Sequence, residues 1–598
     1  MAIVGIGNWH VQSFAKTLVQ EIANVNRAND TIVNRSASDA PSTHSTFAPP
    51  LNPGQPWQYL IVCILFLVLL ILTRSPNLGD TADYVDDIRS SASCPSLDQC
   101  PQLWDPAHLL WRPLGRLLVP PLQPFVNRAV GSDIRMQIAL VLAILSGLAI
   151  LICALLLYAI LLKATGNVLI SLFVTLGFLC TNATLYVLHS GVSYAAGLAC
   201  LLGAVFLVQR ESETGARGSL AFAGICGALA VAFWLPYLVA LPALLVWILL
   251  RRRTSHLQAA AVLIIATAVM SALLFGLGAH FRGVQSVSDF RLWLKESGHG
   301  MEQNRNLIRS LFGFPRAFFD MGQFGVRMKQ FLFKDPYANV KFGELWLNLW
   351  KVALFYLALF SLAALYRAAN GRKVLLILAV ALLGNMALAV TFEGGSPERY
   401  FPLFPFFFIA TAQCFCLPEV PRLPRSLLAL FIIAMLAVNL SSYAANRVHS
   451  QEASAAKRLS SLLPLRPASY VYVAGTDSIA AFRRDVPFHE INRGAEFQIT
   501  GIYLPMVRTA YWKHDFAAKV LSIWSRGGDV WVTTRVWSEQ PHREWNWIEG
   551  DDPNVKWKDI VEFFRPLDHG PAVGGDDGFI LLSHSAKNQN LLASPAQN

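Results

Sequence analysis

Between residues 57 and 443 the chain is a succession of apolar runs separated by short polar breaks. A helix needs about 17–25 apolar residues to cross a bilayer, and lipid offers no partner for an open backbone, so each crossing must be helical or part of a closed barrel. Runs of this kind lie near 57–73, 138–162, 168–188, 193–208, 219–235, 237–250, 257–278, 345–366, 374–392, 400–416 and 426–443. They predict a polytopic α-helical membrane protein with about eleven transmembrane helices. Composition agrees: of 598 residues, 54% are hydrophobic and 15% charged, where a soluble protein carries roughly a quarter charged. The least regular part is 219–250, where Pro236 in 233-FWLPYL-238 either separates two short spans or kinks one.

Lysine and arginine set the orientation. With the N-terminus cytoplasmic, the cytoplasmic connections carry Lys163, Arg210 and Arg217, 251-RRR-253, then Arg367, Arg372 and Lys373, and Arg422 and Arg425. The turns on the opposite side, 189-HSGV-192 and 235-LPY-237, have neither residue. That contrast favours two spans in 219–250. The net charge of +11 is thus mostly a topology signal and points to no nucleic acid. Small residues in 218-GSLAFAGICGALA-230 predict close helix packing.

The chain then divides into a mostly disordered cytoplasmic tail, 1–56, and a transmembrane domain, 57–443. Two outer regions interrupt the latter, 74–137 and 279–344. An extracytoplasmic domain, 444–585, and a disordered tail, 586–598, follow. A polar helical run leads through 444–463, and strand-like runs at 470–475, 530–537 and 579–584 alternate with helix-like stretches such as 513–525, which predicts a small C-terminal α/β unit. Seven of nine cysteines lie in apolar runs, where a thiol packs as a small apolar group. Cys94 and Cys100 share the first outer region, either as a disulfide or as two loop thiols. The second outer region mixes bases with aromatics in 311-LFGFPRAFFDMGQFGVRMKQFLF-333, the pattern of helices lying in the interface.

Ionisable groups are scarce within the apolar runs. Lys351 is the clear exception, close enough to the outer end of its run to snorkel. A carrier or channel usually keeps such groups inside its spans. Here polar chemistry collects at the outer face, beginning with Asp80, Asp83, Asp86 and Asp87 in 77-NLGDTADYVDDI-88. Carboxylates crowded beside a low-dielectric surface raise one another's pKa, which makes one of them a better general base. Asp80 is the first candidate and Asp83 the second, as partner or metal ligand. The plain alternative is a loop of solvated aspartates, Asp86 and Asp87 first among them. No Walker loop, dinucleotide fingerprint or serine–histidine–aspartate motif is present.

Three segments together resemble the GT-C superfamily of integral-membrane glycosyltransferases, which includes protein O-mannosyltransferases and bacterial aminoarabinose transferases. They are 78-LGDTADY-84 just after the first span, 105-DPAHLLWRPLGRLL-118, and 394-GGSPERYFPLFP-405 at the mouth of a late span. The resemblance implies sugar transfer from a polyprenyl-phosphate donor to an acceptor outside the cytoplasm, with inversion, and an aspartate base in the first outer region. It gives the leaving phosphate to fixed positive charge, for which Arg399 is the candidate, with Tyr400 beside it; Arg and Tyr at a span end also serve as interfacial anchors. His108 and Arg112, four apart, are further substrate-binding candidates. No cofactor is required; a divalent metal, Mg or Mn, at Asp80 and Asp83 is left open.

Two other classes remain: a transporter or flippase of lipid-linked sugars, and an inactive GT-C-like scaffold. The outer regions hold no Asn-x-Ser/Thr acceptor, which favours a bacterial inner membrane over an endoplasmic reticulum.

Overall fold

The computed structural model describes residues 56–73, 80–131, 134–214, 217–250, 256–296, 307–321, 342–392, 394–448, 469–473, 498–501, 512–538, 557–574 and 578–594. The N-terminal tail expected over 1–56 lies almost wholly outside them, as do parts of both outer regions and most of the helical run expected over 444–463.

The chain is a polytopic helical membrane protein. In order, its first helices are α1 (Pro56–Leu72), α2 (Thr81–Ser90), α3 (Trp111–Val130), α4 (Ile134–Thr165), α5 (Val168–Leu179), α6 (Asn182–Leu188), α7 (Tyr194–Thr214) and α8 (Arg217–Phe233). They are followed by α9 (Leu241–Leu249), α10 (His256–Arg282), α11 (Val287–Glu296), α12 (Leu307–Phe318), α13 (Phe342–Ser361), α14 (Ala369–Thr391), α15 (Phe404–Cys416) and α16 (Arg422–Val448). Every run read as a span carries helix. Among the described residues, six helices are by themselves long and apolar enough to cross: α4, α7, α10, α13 with the 3-10 segment that continues it, α14 and α16. Joining α5 to α6 makes up to seven, fewer than the about eleven expected from runs alone.

The difference lies in short and broken elements. α5 and α6 meet at 66°, because Thr181 leaves helical geometry and its hydroxyl accepts the Thr184 N–H, an N-cap inside an apolar run. At Pro236 the chain does separate two helices: Trp234 is extended, Leu235–Ala240 is a 3-10 segment, and α9 begins at Leu241. α15 likewise begins as the 3-10 segment Pro397–Leu403. The small residues of α8 pack as expected. A Cβ on Gly224 would lie 2.7 Å from Ala266 Cβ and 2.8 Å from Leu263 O, so α8 and α10 touch along their backbones.

The two turns without lysine or arginine meet residues 81–111 at one end of this bundle. Gly191 N–H donates to Thr81 Oγ1 at 2.8 Å, and Trp111 Nε1 donates to Gly191 O at 2.9 Å. Leu235 N–H donates to Ala107 O and Leu110 N–H to Ala232 O, each at 3.2 Å. Cys94 and Cys100 are joined as a disulfide in the same region. Lys351, half-buried in α13, donates to Asp320 O at 2.7 Å.

The C-terminal part is a small α/β unit. Strands β1 (Tyr470–Val473), β2 (Gln498–Gly501), β3 (Val530–Thr533), β4 (His569–Val573) and β5 (Phe579–Leu582) form one sheet in the order β2-β1-β3-β5-β4. β1 is parallel to β2 and β3, while β5 is antiparallel to β3 and β4. The sheet packs with α17 (Trp512–Ser525) and α18 (Trp557–Phe564) around Val520, Ile523, Val532, Ile560 and Phe564. Gly527, at φ 74°, turns the chain from α17 toward β3.

Two expectations fail here. Residues 534–537 are a 3-10 turn, not the end of a strand. The tail read as disordered contains α19 (Ala586–Ala593). Ser585 caps that helix, and buried Asn588 donates to Asp568 O and Ser583 O while accepting the Asp568 N–H. Polar composition concealed it, because its anchor is an asparagine.

Candidate active site

The start of α2 is fixed by what it touches. Thr81 is buried and its hydroxyl holds the α6–α7 turn through Gly191. A Cβ on Gly191 would fall 2.6 Å from Leu142 Cβ and 2.8 Å from Thr81 Cγ2, so the approach requires glycine. Asp80 occupies the position before the helix, yet its side chain makes no capping bond. Its Oδ2 instead accepts a 2.5 Å hydrogen bond from the Tyr194 hydroxyl at the start of α7. Asp83 lies one turn along α2, with its side chain outside the described residues.

His108 joins this cluster. It is buried, its Nδ1 lies 2.7 Å from Ser193 Oγ, and its ring sits 5.4 Å from Tyr84 and 5.8 Å from Tyr194. Burial, then the Asp80 charge, pushes the Tyr84 phenol well above its ordinary pKa, so that it stays neutral.

Arg112 has a different task. Its Nε donates to Asp87 Oδ2 and its Nη1 to Asp105 Oδ2, both at 2.6 Å, and its guanidinium lies 4.8 Å from the Tyr84 ring centroid. Burial opposes its charge, but the Asp105 and Asp87 carboxylates outweigh that and raise its pKa. The fork that a phosphate would need is filled by carboxylates. Asp87, expected to be solvated, is the half-buried arm of this bridge, because α2 places it beside α3.

On the other flank, α12 lies directly against residues 394–400. A Cβ on Gly313 would come within 1.7 Å of Gly394 O. Arg316 Nη1 donates to Gly395 O at 3.1 Å. Arg399 is buried, its guanidinium 5.0 Å from the Phe392 ring and 5.4 Å from the Trp234 ring. Asn385 Nδ2 donates to Arg399 O at 2.7 Å, which anchors the segment to α14. Tyr400 packs inward: its hydroxyl bonds to Ser310 O at 2.7 Å and Gly394 O at 2.8 Å, and its ring stacks on Phe314 at 4.8 Å.

Tyr186 and Tyr194 connect the flanks, since Asp80 and Glu398 both lie within electrostatic reach of each, and Arg316 within reach of Tyr186. Tyr194, Glu398 and Arg316 were not singled out from the sequence. Glu398 stood beside Arg399 in the quoted segment, and Arg316 was one base among many in the second outer region; a tyrosine opening an apolar run carries no signal. Among the described residues, no three His, Cys, Asp or Glu side chains gather to hold a metal.

No protein-family model matches the chain, and no curated protein matches it. Among solved structures it is similar to ArnT from Cupriavidus metallidurans bound to undecaprenyl phosphate, at 12% identity and a TM-score of 0.46, covering 90% of this chain and 98% of that one. It is also similar to ArnT from the same organism in the apo state, at 12% identity and a TM-score of 0.40, with the same coverage.

Proposed function

We propose that the chain is a membrane glycosyltransferase that moves a sugar from a polyprenyl-phosphate donor to an acceptor hydroxyl on the extracytoplasmic side, with inversion. The observation that carries this reading is the 2.5 Å bond from Tyr194 to Asp80 Oδ2, at the bundle end where Glu398 also lies. Tyr194 holds one carboxylate oxygen and so orients the other. As the acceptor oxygen attacks the anomeric carbon, Asp80 takes its proton, and the bond from sugar to phosphate breaks on the opposite face. The departing phosphate gains charge, which Arg399 and Arg316 offset from the other flank. The disulfide between Cys94 and Cys100, in the region that follows Asp80, suits an oxidising compartment, which supports the outward-facing site. No step here uses a metal.

A flippase needs a polar route through its spans. Two buried asparagines within helices are committed to carbonyls instead: Asn385 to Arg399 O, and Asn439 to Cys180 O and Phe318 O. That favours the enzyme.

The test is sugar transfer from a polyprenyl-phosphate donor by purified variants, with donor binding measured separately. Asp80→Asn should lower turnover by about 10²–10⁴ while donor binding survives. Arg399→Ala should weaken both, and Arg399→Lys should restore them only in part, because an ammonium lacks the planar fork. Near-normal transfer by folded Asp80→Asn removes it as base and moves the role to Asp83. If neither aspartate matters, the flippase reading replaces the enzyme.

A further inference from the structure

Three helices that reach the Asp80 end have their other ends around a cavity of about 240 Å³. α7 starts at Tyr194 and contributes Ser212 to the cavity; α9 follows the Pro236 turn and ends at Leu249, where its C-cap Leu250 lines the cavity; α14 leads toward Arg399 and contributes Asn370 and Lys373 from its first turns. The cavity therefore lies at the opposite end of the bundle from the candidate active site. Its lining is graded. Ser212, Asn370 and Lys373 stand near helix ends with Leu250 among them, and the remaining, apolar lining includes Ile377, Phe406 and Ile409. On α14, Asn370, Lys373, Val374 and Ile377 follow the 3, 4 and 7 spacing of one helix face, a strip roughly 10 Å long that runs from polar to apolar.

We propose that this cavity binds an anionic phospholipid of the leaflet at that end. The phosphate sits at Lys373 and Asn370, and part of one acyl chain lies along Ile377, Phe406 and Ile409. Charge and shape both select an amphiphile. A free phosphate would leave the apolar part empty, and water has few partners there. The volume is below the roughly 300–1,000 Å³ of sites that enclose a whole small molecule, and suits a segment of chain. Lys373 is exposed, and Arg372 beside it is exposed too, so the rim is positive. No side chain caps the N-terminus of α14, whose dipole adds to that potential. The Ser212 hydroxyl donates to Gln209 O, which leaves the phosphate to Lys373 and Asn370.

The test uses the full chain in detergent, with phosphatidylglycerol and phosphatidylcholine as probes, bound lipid counted by native mass spectrometry and thermal unfolding followed in parallel. Phosphatidylglycerol should bind and raise the unfolding temperature; phosphatidylcholine and inorganic phosphate should do neither. Lys373→Ala, at an exposed position, should weaken phosphatidylglycerol binding about fivefold. Val374→Phe, which fills the cavity from a half-buried position, should weaken it with Lys373 intact. Equal binding of the two lipids overturns the proposal, as does protection by inorganic phosphate alone. Unchanged binding in Val374→Phe overturns it as well, because the lipid would then be held at the surface.

Discussion

Tyr194 donates to Asp80, so deleting its hydroxyl disturbs the carboxylate without touching the oxygen offered to substrate. Tyr194→Phe should lower turnover about 10- to 100-fold, the worth of one hydrogen bond to a charged group, with donor KM unchanged; a rise in KM alone would make Tyr194 a binding residue. Arg112→Ala should instead act on stability. It removes the guanidinium that Asp87 and Asp105 share, and hydrogen bonds to charged groups are worth about 1.5–3 kcal/mol, readable as a lower unfolding temperature in detergent. These two residues mark what a sequence reveals at this scale. Asp80 was legible because four carboxylates in 77-NLGDTADYVDDI-88 are unusual beside an apolar run. Arg112 was visible as a charge, but its partners depend on how α2 meets α3, which no spacing encodes. Tyr194 was invisible, since a tyrosine at the start of a span looks like an interfacial anchor.

The contact between α12 and residues 394–400 belongs to the scale of elements. Gly313→Ala would drive a Cβ to within 1.7 Å of Gly394 O, which no rotamer relieves. The helix must move away, taking Arg316 from Gly395 and Ser310 from Tyr400. Overpacking of this kind costs typically 1–3 kcal/mol and occasionally more. The expected result is lower thermal stability together with weakened donor binding; wild-type values for both would mean that the segment adapts. Helices were legible wherever apolar length spoke for itself, and Pro236 announced its own break. The bend between α5 and α6 was not, because 178-FLCTNATL-185 contains neither proline nor glycine and the cap at Thr181 is one hydroxyl among apolar neighbours. β4 escaped for the opposite reason: 569-HGPAV-573 carries Gly and Pro, which read as a turn and are tolerated here because β4 is an edge strand.

For the molecule as a whole, the prediction concerns sidedness. Reporters fused after residues near 130, 330 and 470 should all signal outside the cytoplasm, as the lysine and arginine distribution requires. A cytoplasmic signal from the last would mean that 219–250 crosses once, against the turn that brings Leu235 to Ala107. The membrane class and the C-terminal α/β unit were legible because they rest on long apolar runs and alternating patterns. The assembled site was not, because it joins α2, the α6–α7 turn and the approach to α15. That dispersion has a consequence for biosynthesis. Asp80 leaves the ribosome first, Tyr194 more than a hundred residues later, and Glu398 about two hundred residues after that. A partly translated chain thus holds its carboxylate with neither the phenol that bonds it nor the opposite wall, and the cluster is complete only when the late helices insert.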